Sequence, residues 1–292
     1  METTIPRLVQ GAAERVGALS ALEEGEITFD FRGLAHAGLE AARAFLAAGL
    51  QPGDRVGVWA PNIHEWVVAA IGLQSAGGVL VTLNTRMKGG EAAYILRKSG
   101  AKFLCTLGDF LGVDYVAAIA GEDLPDLEKV IALRGTPSGA VPWAEFMAGG
   151  QSIEPGEAQA RLEAVQPEDL SDLIFTSGTT GQPKGVMTAH GQNIRGFEAW
   201  SEVVGLAEGD RYLIINPFFH SFGYMILWFS ANESIGCVSL PNPVDAELIG
   251  QKVQQYRISM LLSTPTFLQL YLRRCTAAVS YTHLTLPTNR EV

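Results

Sequence analysis

The sequence predicts an α/β fold of two sheet subdomains built from parallel strand–helix–strand units. Three observations carry this. Short apolar runs such as Val79-Leu80-Val81-Thr82-Leu83 alternate with Ala/Leu-rich segments at helical spacing, the pattern of parallel strands covered on both faces by crossover helices. Turn-forming residues punctuate the junctions, as at Pro52-Gly53-Asp54, Pro61-Asn62 and Gly77-Gly78. Hydrophobic residues make up 47% of the 292 positions and charged residues 18%, ample for a packed interior at a length where single cores divide.

Taken in order, Ile27 to Phe31 alternates apolar and polar and reads as a strand. Leu34 to Leu50 has helical spacing with Gly49 near its end, and Arg55 to Trp59 is a short buried strand. A helix from Ile63 to Ala76 follows the Pro61-Asn62 break, then the strand Val79 to Leu83, a helix from Gly90 to Ser99 and the strand Lys102 to Leu107. Residues 135–165 carry glycines, prolines and acids with weak periodicity and read as a connection. The predicted division is therefore 1–165 as an N-terminal α/β subdomain and 166–275 as a second one. In the second, helices are expected over Gly191–Val204, Phe222–Ser234, from Asp245 to Tyr256, and from Pro265 or Thr266 to Arg274. Strands are expected over Arg211–Ile215, Cys237–Leu240 and Ser259–Ser263.

The net charge of −10, from 31 acidic against 21 basic residues, argues against a nucleic-acid groove or an anionic membrane surface as partner. Cys105, Cys237 and Cys275 are odd in number and widely spaced, as expected of buried thiols in a reducing compartment rather than disulfides or metal ligands. Met1 to Pro6 lacks the basic-then-apolar pattern of a signal peptide, and no apolar run reaches the length of a membrane span. The expectation is a soluble cytoplasmic chain with no metal site of its own.

The ten residues Thr176-Ser177-Gly178-Thr179-Thr180-Gly181-Gln182-Pro183-Lys184-Gly185 hold four hydroxyls, three glycines and one lysine. Leu173-Ile174-Phe175 before them and Val186-Met187 after them make the stretch a turn between two strands. An ordinary hairpin turn needs only about two to five residues. Glycine permits positive φ and close backbone approach to a ligand. Consecutive N–H groups form an anion-binding concavity, and the hydroxyls and Lys184 add donors and charge. A polyphosphate suits this set. A P-loop phosphotransferase is the rival reading, but that loop ends in Gly-Lys-Ser/Thr, whereas here Pro183 precedes Lys184 and Gly185 follows it.

A second constellation, Phe218-Phe219-His220-Ser221-Phe222-Gly223-Tyr224, follows the predicted strand Arg211–Ile215, where ligands of open α/β sheets bind. A histidine among aromatics reads equally as a satisfied core residue or as a site residue; its place after the strand favours the site. Trp228 and Phe229 read as core before acyl-pocket wall, and Thr264 or Thr266 as a helix cap before a cleft-facing role for Thr264 and Pro265. His190 begins a helix outside the site, and His36 and His64 read as ordinary surface or helix positions.

The ten-residue stretch resembles the phosphate loop of adenylate-forming enzymes, the superfamily of acyl-CoA synthetases, luciferases and peptide-synthetase adenylation domains. Pro52-Gly53-Asp54-Arg55-Val56, Pro61-Asn62 with Glu65-Trp66, Ala76-Gly77-Gly78 through Leu83-Asn84-Thr85-Arg86, and the aromatic-His-x-x-Gly box around His220 extend the likeness over about residues 8–275. The resemblance implies the truncated N-terminal part of an acyl-CoA synthetase, of the fatty-acid–CoA ligase kind. It implies that Thr176, Ser177, Gly178, Thr179, Thr180, Gly181 and Lys184 hold the phosphates of ATP, with Mg²⁺, while a carboxylate attacks the α-phosphorus. It also implies that His220 stands at the reacting carboxylate and that His220, Gly223 and Tyr224 line the substrate pocket, with CoA as the later acyl acceptor. The family's downstream adenine, ribose, hinge and lysine motifs do not occur in these 292 residues, so the chain by itself is expected to bind nucleotide without catalysis. Residues 276–292 resemble translated sequencing-adapter tails and are expected to lie outside the fold.

Overall fold

Thr4 opens the first helix because its hydroxyl accepts from the Arg7 N–H and Pro6 suits the first turn. A computed structural model of the chain describes residues 3–176, 183–233, 236–239, 246–264, 267–269 and 271. Helix α1 (Ile5–Val16) leads to the hairpin β1 (Ser20–Glu24) and β2 (Ile27–Asp30), then α2 (Phe31–Ala47). The Asp30 carboxylate accepts from Gly33 N at 2.6 Å, so the strand ends one residue earlier than its alternation implies and Phe31 starts the helix. The chain continues through β3 (Arg55–Val58), α3 (His64–Ser75), β4 (Val79–Thr82), α4 (Gly89–Ser99) and β5 (Ala101–Leu107). Next come α5 (Tyr115–Ile119), β6 (Lys129–Arg134), β7 (Val141–Pro142), α6 (Trp143–Gly149) and α7 (Pro155–Ala164). Last are β8 (Leu170–Thr176), β9 (Lys184–Ala189), α8 (His190–Val204), β10 (Arg211–Ile214), α9 (Ser221–Glu233), β11 (Gly236–Ser239) and α10 (Ala246–Gln255).

The strands form a seven-stranded sheet in the order β7-β6-β5-β3-β4-β8-β9 and a four-stranded sheet in the order β10-β11-β1-β2. Neighbours run parallel except in the hairpins β8–β9 and β1–β2, which lie at sheet edges. The fold is thus α/β with mixed sheets. The sheets do not divide the chain at residue 165: β8 and β9 join the sheet of β3 to β7, while β1 and β2 join β10 and β11. The register Leu80↔Asp172 that draws β8 onto β4 joins residues far apart in the chain, and local periodicity carries no information about such a pairing.

Helix α3 is buried from Glu65 through Ser75, the pattern of a helix enclosed on every side. It packs on α2 so closely that a Cβ on Gly72 would stand 2.5 Å from the Ala41 Cβ. One apolar cluster runs through both sheets, from Leu22 and Cys237 to Val56 and Leu104. Cys105 and Cys237 are buried thiols outside any disulfide. No helix among the described residues is long and apolar enough to cross a membrane.

Helix α1 and strands β1 and β6 are absent from the sequence-based outline, and 135–165 holds β7, α6 and α7. The expected strand Ser259–Ser263 is reduced to one parallel bridge, Tyr212 to Met260. The Ser259 and Met260 N–H groups both donate to the Arg211 carbonyl at 3.0 Å, and Leu213 N donates to the Met260 carbonyl at 3.1 Å. Thr264 caps as expected, its hydroxyl accepting from Phe267 N at 3.4 Å. Asp245, Pro265, Thr266, Cys275 and residues 276–292 lie outside the described residues.

Candidate active site

The β8–β9 hairpin pairs Ile174 with Val186, Phe175 with Gly185 and Thr176 with Lys184. The Thr176 hydroxyl donates to the Lys184 carbonyl at 3.5 Å, and both residues are exposed. They bracket the predicted phosphate stretch, of which Ser177, Gly178, Thr179, Thr180, Gly181 and Gln182 lie outside the described residues. A P-loop lysine opens a helix; Lys184 opens an antiparallel strand instead.

The box around His220 sits in the turn between β10 and α9. Asn62 holds that turn: its Nδ2 donates to the Asn216 carbonyl and its Oδ1 accepts from Phe218 N, both at 2.8 Å. The Thr82 hydroxyl donates to the Phe219 carbonyl at 3.0 Å. Phe218 is fully buried, 5.2 Å from the Trp66 ring, so the first aromatic anchors in the core while His220 stays exposed at the start of α9. Gly223 has a packing reason: a Cβ there would meet the Pro217 carbonyl oxygen at 2.0 Å. The close approach it permits is of backbone to backbone.

Thr176, Pro183, Phe219, His220 and Tyr224 line one cavity of about 1080 Å³. Predicted site residues from both constellations therefore meet, with Lys184 paired to Thr176 and Gly223 buried in the first turn of α9. The same cavity reaches residues that sequence reasoning passed over. Asp172, on β8, is fully buried. It accepts from the Ser171 hydroxyl at 2.6 Å and from Asn193 Nδ2. Gln74 Nε2 donates to the Tyr224 hydroxyl at 2.8 Å and to the Ser171 carbonyl at 3.0 Å. Burial pushes the Asp172 carboxyl up to about 6, against the bonds from Ser171 and Asn193 and the nearby hydroxyls of Tyr224 and Thr188. Burial, and then the Asp172 charge, pushes the Tyr224 phenol well above its ordinary value. The available signal was Ser171-Asp172, two polar residues inside an otherwise apolar strand, with Asp172 in phase with Thr176.

The remaining candidates resolve as structure. Trp228 is core, 5.7 Å from the Tyr224 ring; the side chain of Phe229 lies outside the described set. His190 is buried and its Nδ1 accepts from Ile5 N at 3.3 Å. Burial lowers its value to about 4 despite the Asp169 charge, so the ring is neutral at pH 7. His64 has more company than its sequence context indicates, lying 2.7 Å from Glu24 and 3.4 Å from Glu65. Glu24, His64 and Glu65 have the spacing of cation ligands. Arg134 already sits between the two carboxylates, at 2.8 and 2.7 Å, and makes the group an ion-pair cluster.

Comparison with known proteins bears on the whole chain. The model of the family described as AMP-binding enzyme matches residues 9–288. The chain belongs to the AMP-binding enzyme family. The match runs into the stretch 276–292. Over 274 residues the chain is 38% identical to a Rhodococcus jostii (strain RHA1) ligase that joins CoA to a 7a-methyl-1,5-dioxo-octahydroindenyl propanoyl group. That alignment covers 91% of this chain and 53% of the ligase. The Mycobacterium tuberculosis ligase of the same name is 36% identical over 267 residues, 91% of this chain and 52% of its own. Human mitochondrial medium-chain acyl-CoA ligase ACSF2 is 27% identical over 292 residues, 90% and 46% of the two chains. Among solved structures, the N-terminal domain of FACL13 from Mycobacterium tuberculosis superposes with a TM-score of 0.78 at 21% identity, covering 93% of this chain and 65% of that one. This last likeness concerns the fold alone. The chain spans about half the length of the curated relatives it matches.

Proposed function

We propose that the full-length enzyme activates a carboxylic acid with ATP and then transfers the acyl group to CoA. A carboxylate oxygen attacks the α-phosphorus and pyrophosphate leaves; the CoA sulfur then attacks the acyl carbon, AMP leaves and the thiol proton is released. ATP enters as its magnesium complex, so the metal arrives with the substrate. The carrying observation is the meeting of the phosphate-type hairpin and the His220 box at one cavity of about 1080 Å³. Phosphoryl chemistry of this kind asks the protein mainly for position and charge. Thr176, the loop that follows it and Lys184 would grip the phosphates, with His220 at the carboxylate. The acid is a fatty acid or a ring-bearing acid of comparable bulk, supported by the cavity volume and by the names of the similar ligases. We place the reaction in the cytoplasm, where the buried thiols remain reduced.

A second reading concerns these 292 residues alone: nucleotide binding without catalysis, supported by their spanning about half of each relative. Acid-dependent ATP–pyrophosphate exchange tests both. Exchange is expected from the full-length enzyme and not from the 292-residue chain. Lys184→Ala should lower kcat/KM for ATP by about 10- to 100-fold, the worth of one charge-assisted hydrogen bond, with an unchanged melting temperature. Transfer of γ-phosphate without pyrophosphate release would overturn the assignment.

A further inference from the structure

We propose that Gln74 is a positioning residue for acid activation: its one side-chain amide sets the strand that leads into the phosphate loop against the helix that begins at His220. This rests on the acid-activation reading above. Gln74 lies near the end of α3, which is enclosed on every side, and its side chain is fully buried. Its Nε2 donates twice, to the Ser171 carbonyl of β8 at 3.0 Å and to the Tyr224 hydroxyl of α9 at 2.8 Å. A carbonyl can only accept, so the Ser171 contact fixes which end of the amide is the NH₂. Both of its protons are then used. Gln74 does not line the cavity, so it acts through Ser171 and Tyr224 rather than on a substrate.

Each end of this bridge stands where a small shift reaches the site. On the strand, the register of β8 with β9 shifts between Leu170 and Asp172, which leaves Ser171 in a bulge. Beyond the bulge Asp172, Ile174 and Thr176 line the cavity, as alternate residues on one sheet face. A slip of one residue at the bulge would turn all three to the other face, and the bond from Gln74 pins it.

On the helix, Tyr224 N donates to the His220 carbonyl at 2.9 Å, so the two residues stand one helical turn apart, and both line the cavity. Holding the Tyr224 hydroxyl therefore holds the rotation of the first turn of α9, and with it the direction of His220. The same hydroxyl interacts with the Asp172 carboxylate, which ties this helix to this strand a second time. Asn62, just ahead of α3, bonds the turn before His220, so the His220 box is held from both ends of that buried helix.

Attack on the α-phosphorus needs the carboxylate at His220 and the phosphates at the loop brought into contact, and a misplacement of about 1 Å costs about 100-fold in rate. Loss of the amide should slow this step and leave the grip on each substrate, because Thr176, Lys184 and His220 are unchanged.

The test uses the full-length enzyme, with ATP–pyrophosphate exchange over a panel of straight-chain and ring-bearing acids. For the acid used best, thioester formation from its acyl-adenylate and CoA is measured beside the exchange. Gln74→Met keeps the length of the side chain and drops the NH₂; Tyr224→Phe keeps the buried ring and drops the hydroxyl. In exchange, kcat should fall about 10- to 100-fold in Gln74→Met and less in Tyr224→Phe, with the KM for ATP unchanged. Thioester formation grips no pyrophosphate, so the spacing of loop and His220 does not enter it and its kcat should hold. The double variant should be no slower than Gln74→Met, since both substitutions break one link. Equal losses in the two half-reactions, a raised KM for ATP with kcat unchanged, or losses that multiply in the double variant overturn the proposal. Should Gln74→Met not fold, Tyr224→Phe decides by the same split between half-reactions. Exchange unchanged in both variants removes this inference alone, whereas no exchange by the unsubstituted enzyme with any acid removes the acid-activation reading with it.

Discussion

Among the described residues, the carboxylates of Glu24 and Glu65 and that of Asp172 are held by polar clusters of different kinds. In the first, Arg134 of β6 bonds Glu24 of β1 at 2.8 and 3.0 Å and Glu65 of α3 at 2.8 and 2.7 Å. His64 N donates to Glu24 at 2.7 Å. Burial works to raise the Glu24 carboxyl, but the bonds from His64 and Arg134 hold it below the usual carboxylate range. The second cluster centres on Asp172, whose carboxyl burial pushes up to about 6 against the bonds from Ser171 and Asn193 and the nearby hydroxyls of Tyr224 and Thr188. The first ties the four-stranded sheet to the seven-stranded one with its carboxylates paired. The second lies in the cavity wall and holds its carboxylate with neutral donors alone. A carboxylate paired with a cation is held low, whereas one buried among neutral donors shifts toward its protonated form.

Three measurements sharpen or break this contrast. The largest effect is expected from Arg134→Met, which leaves Glu24 and Glu65 facing each other without a cation. A fully buried broken pair costs roughly 3–5 kcal/mol; the guanidinium is partly exposed, so about 2 kcal/mol is expected here. Urea unfolding should show this loss while acid selectivity stays unchanged, and an unaltered midpoint would deny the cluster its role as a tie between sheets.

Next is Asn62→Ala, which frees the Asn216 carbonyl and the Phe218 N–H. It should cost about 1–3 kcal/mol and lower kcat in the full-length enzyme, because the turn that carries His220 loses its clamp. Stability loss without any change in kcat would separate Asn62 from the site.

The smallest effect is a pair of opposed pH dependences. Unfolded His190 protonates near 6.5 and the folded ring near 4, so its contribution is complete above 6.5 and declines as pH falls through that window. Asp172 runs the other way: its carboxyl holds a proton in the fold up to about 6 against 3.8 unfolded, so its contribution declines as pH rises from about 4 to 6. Each slope is at most about 1.4 kcal/mol per pH unit, and together they nearly cancel. Asp172→Asn should therefore steepen the acid loss of stability and His190→Gln should flatten it, read as urea midpoints against pH. Identical pH profiles in all three proteins would mean that neither group is buried as described.

The legible parts of the fold were those written in local periodicity. Val79 to Thr82 is buried throughout and apolar up to Val81 because the strand is covered on both faces, and Gly100 and Gly205 close their helices at φ 61° and 69°, the left-handed stop that glycine favours. The strand β6, Lys129-Val130-Ile131-Ala132-Leu133-Arg134, was passed over although the turn residues Pro125-Asp126 precede it. Its place beside β5 comes from pairing with Phe103 to Leu107. At the site, the residue types of Thr176 to Gly185 and of the box at His220 could be read directly, since they stand next to one another in the sequence. Asn62 and Gln74 could not, because their partners lie 154 and 150 residues away.

The sequence by itself determined the family, the alternation of strands and helices, and a run of residue types suited to a polyphosphate. All of these are encoded in neighbouring residues. Only the tertiary structure decided that β8 and β9 belong with the N-terminal strands and that Gly223 serves packing against Pro217. It also decided that Glu24 and Glu65 share Arg134 while Asp172 is buried among neutral donors. The reason is physical: a polar group's cost or value depends on the donors that surround it after burial, and those donors come from segments that meet only in the folded chain.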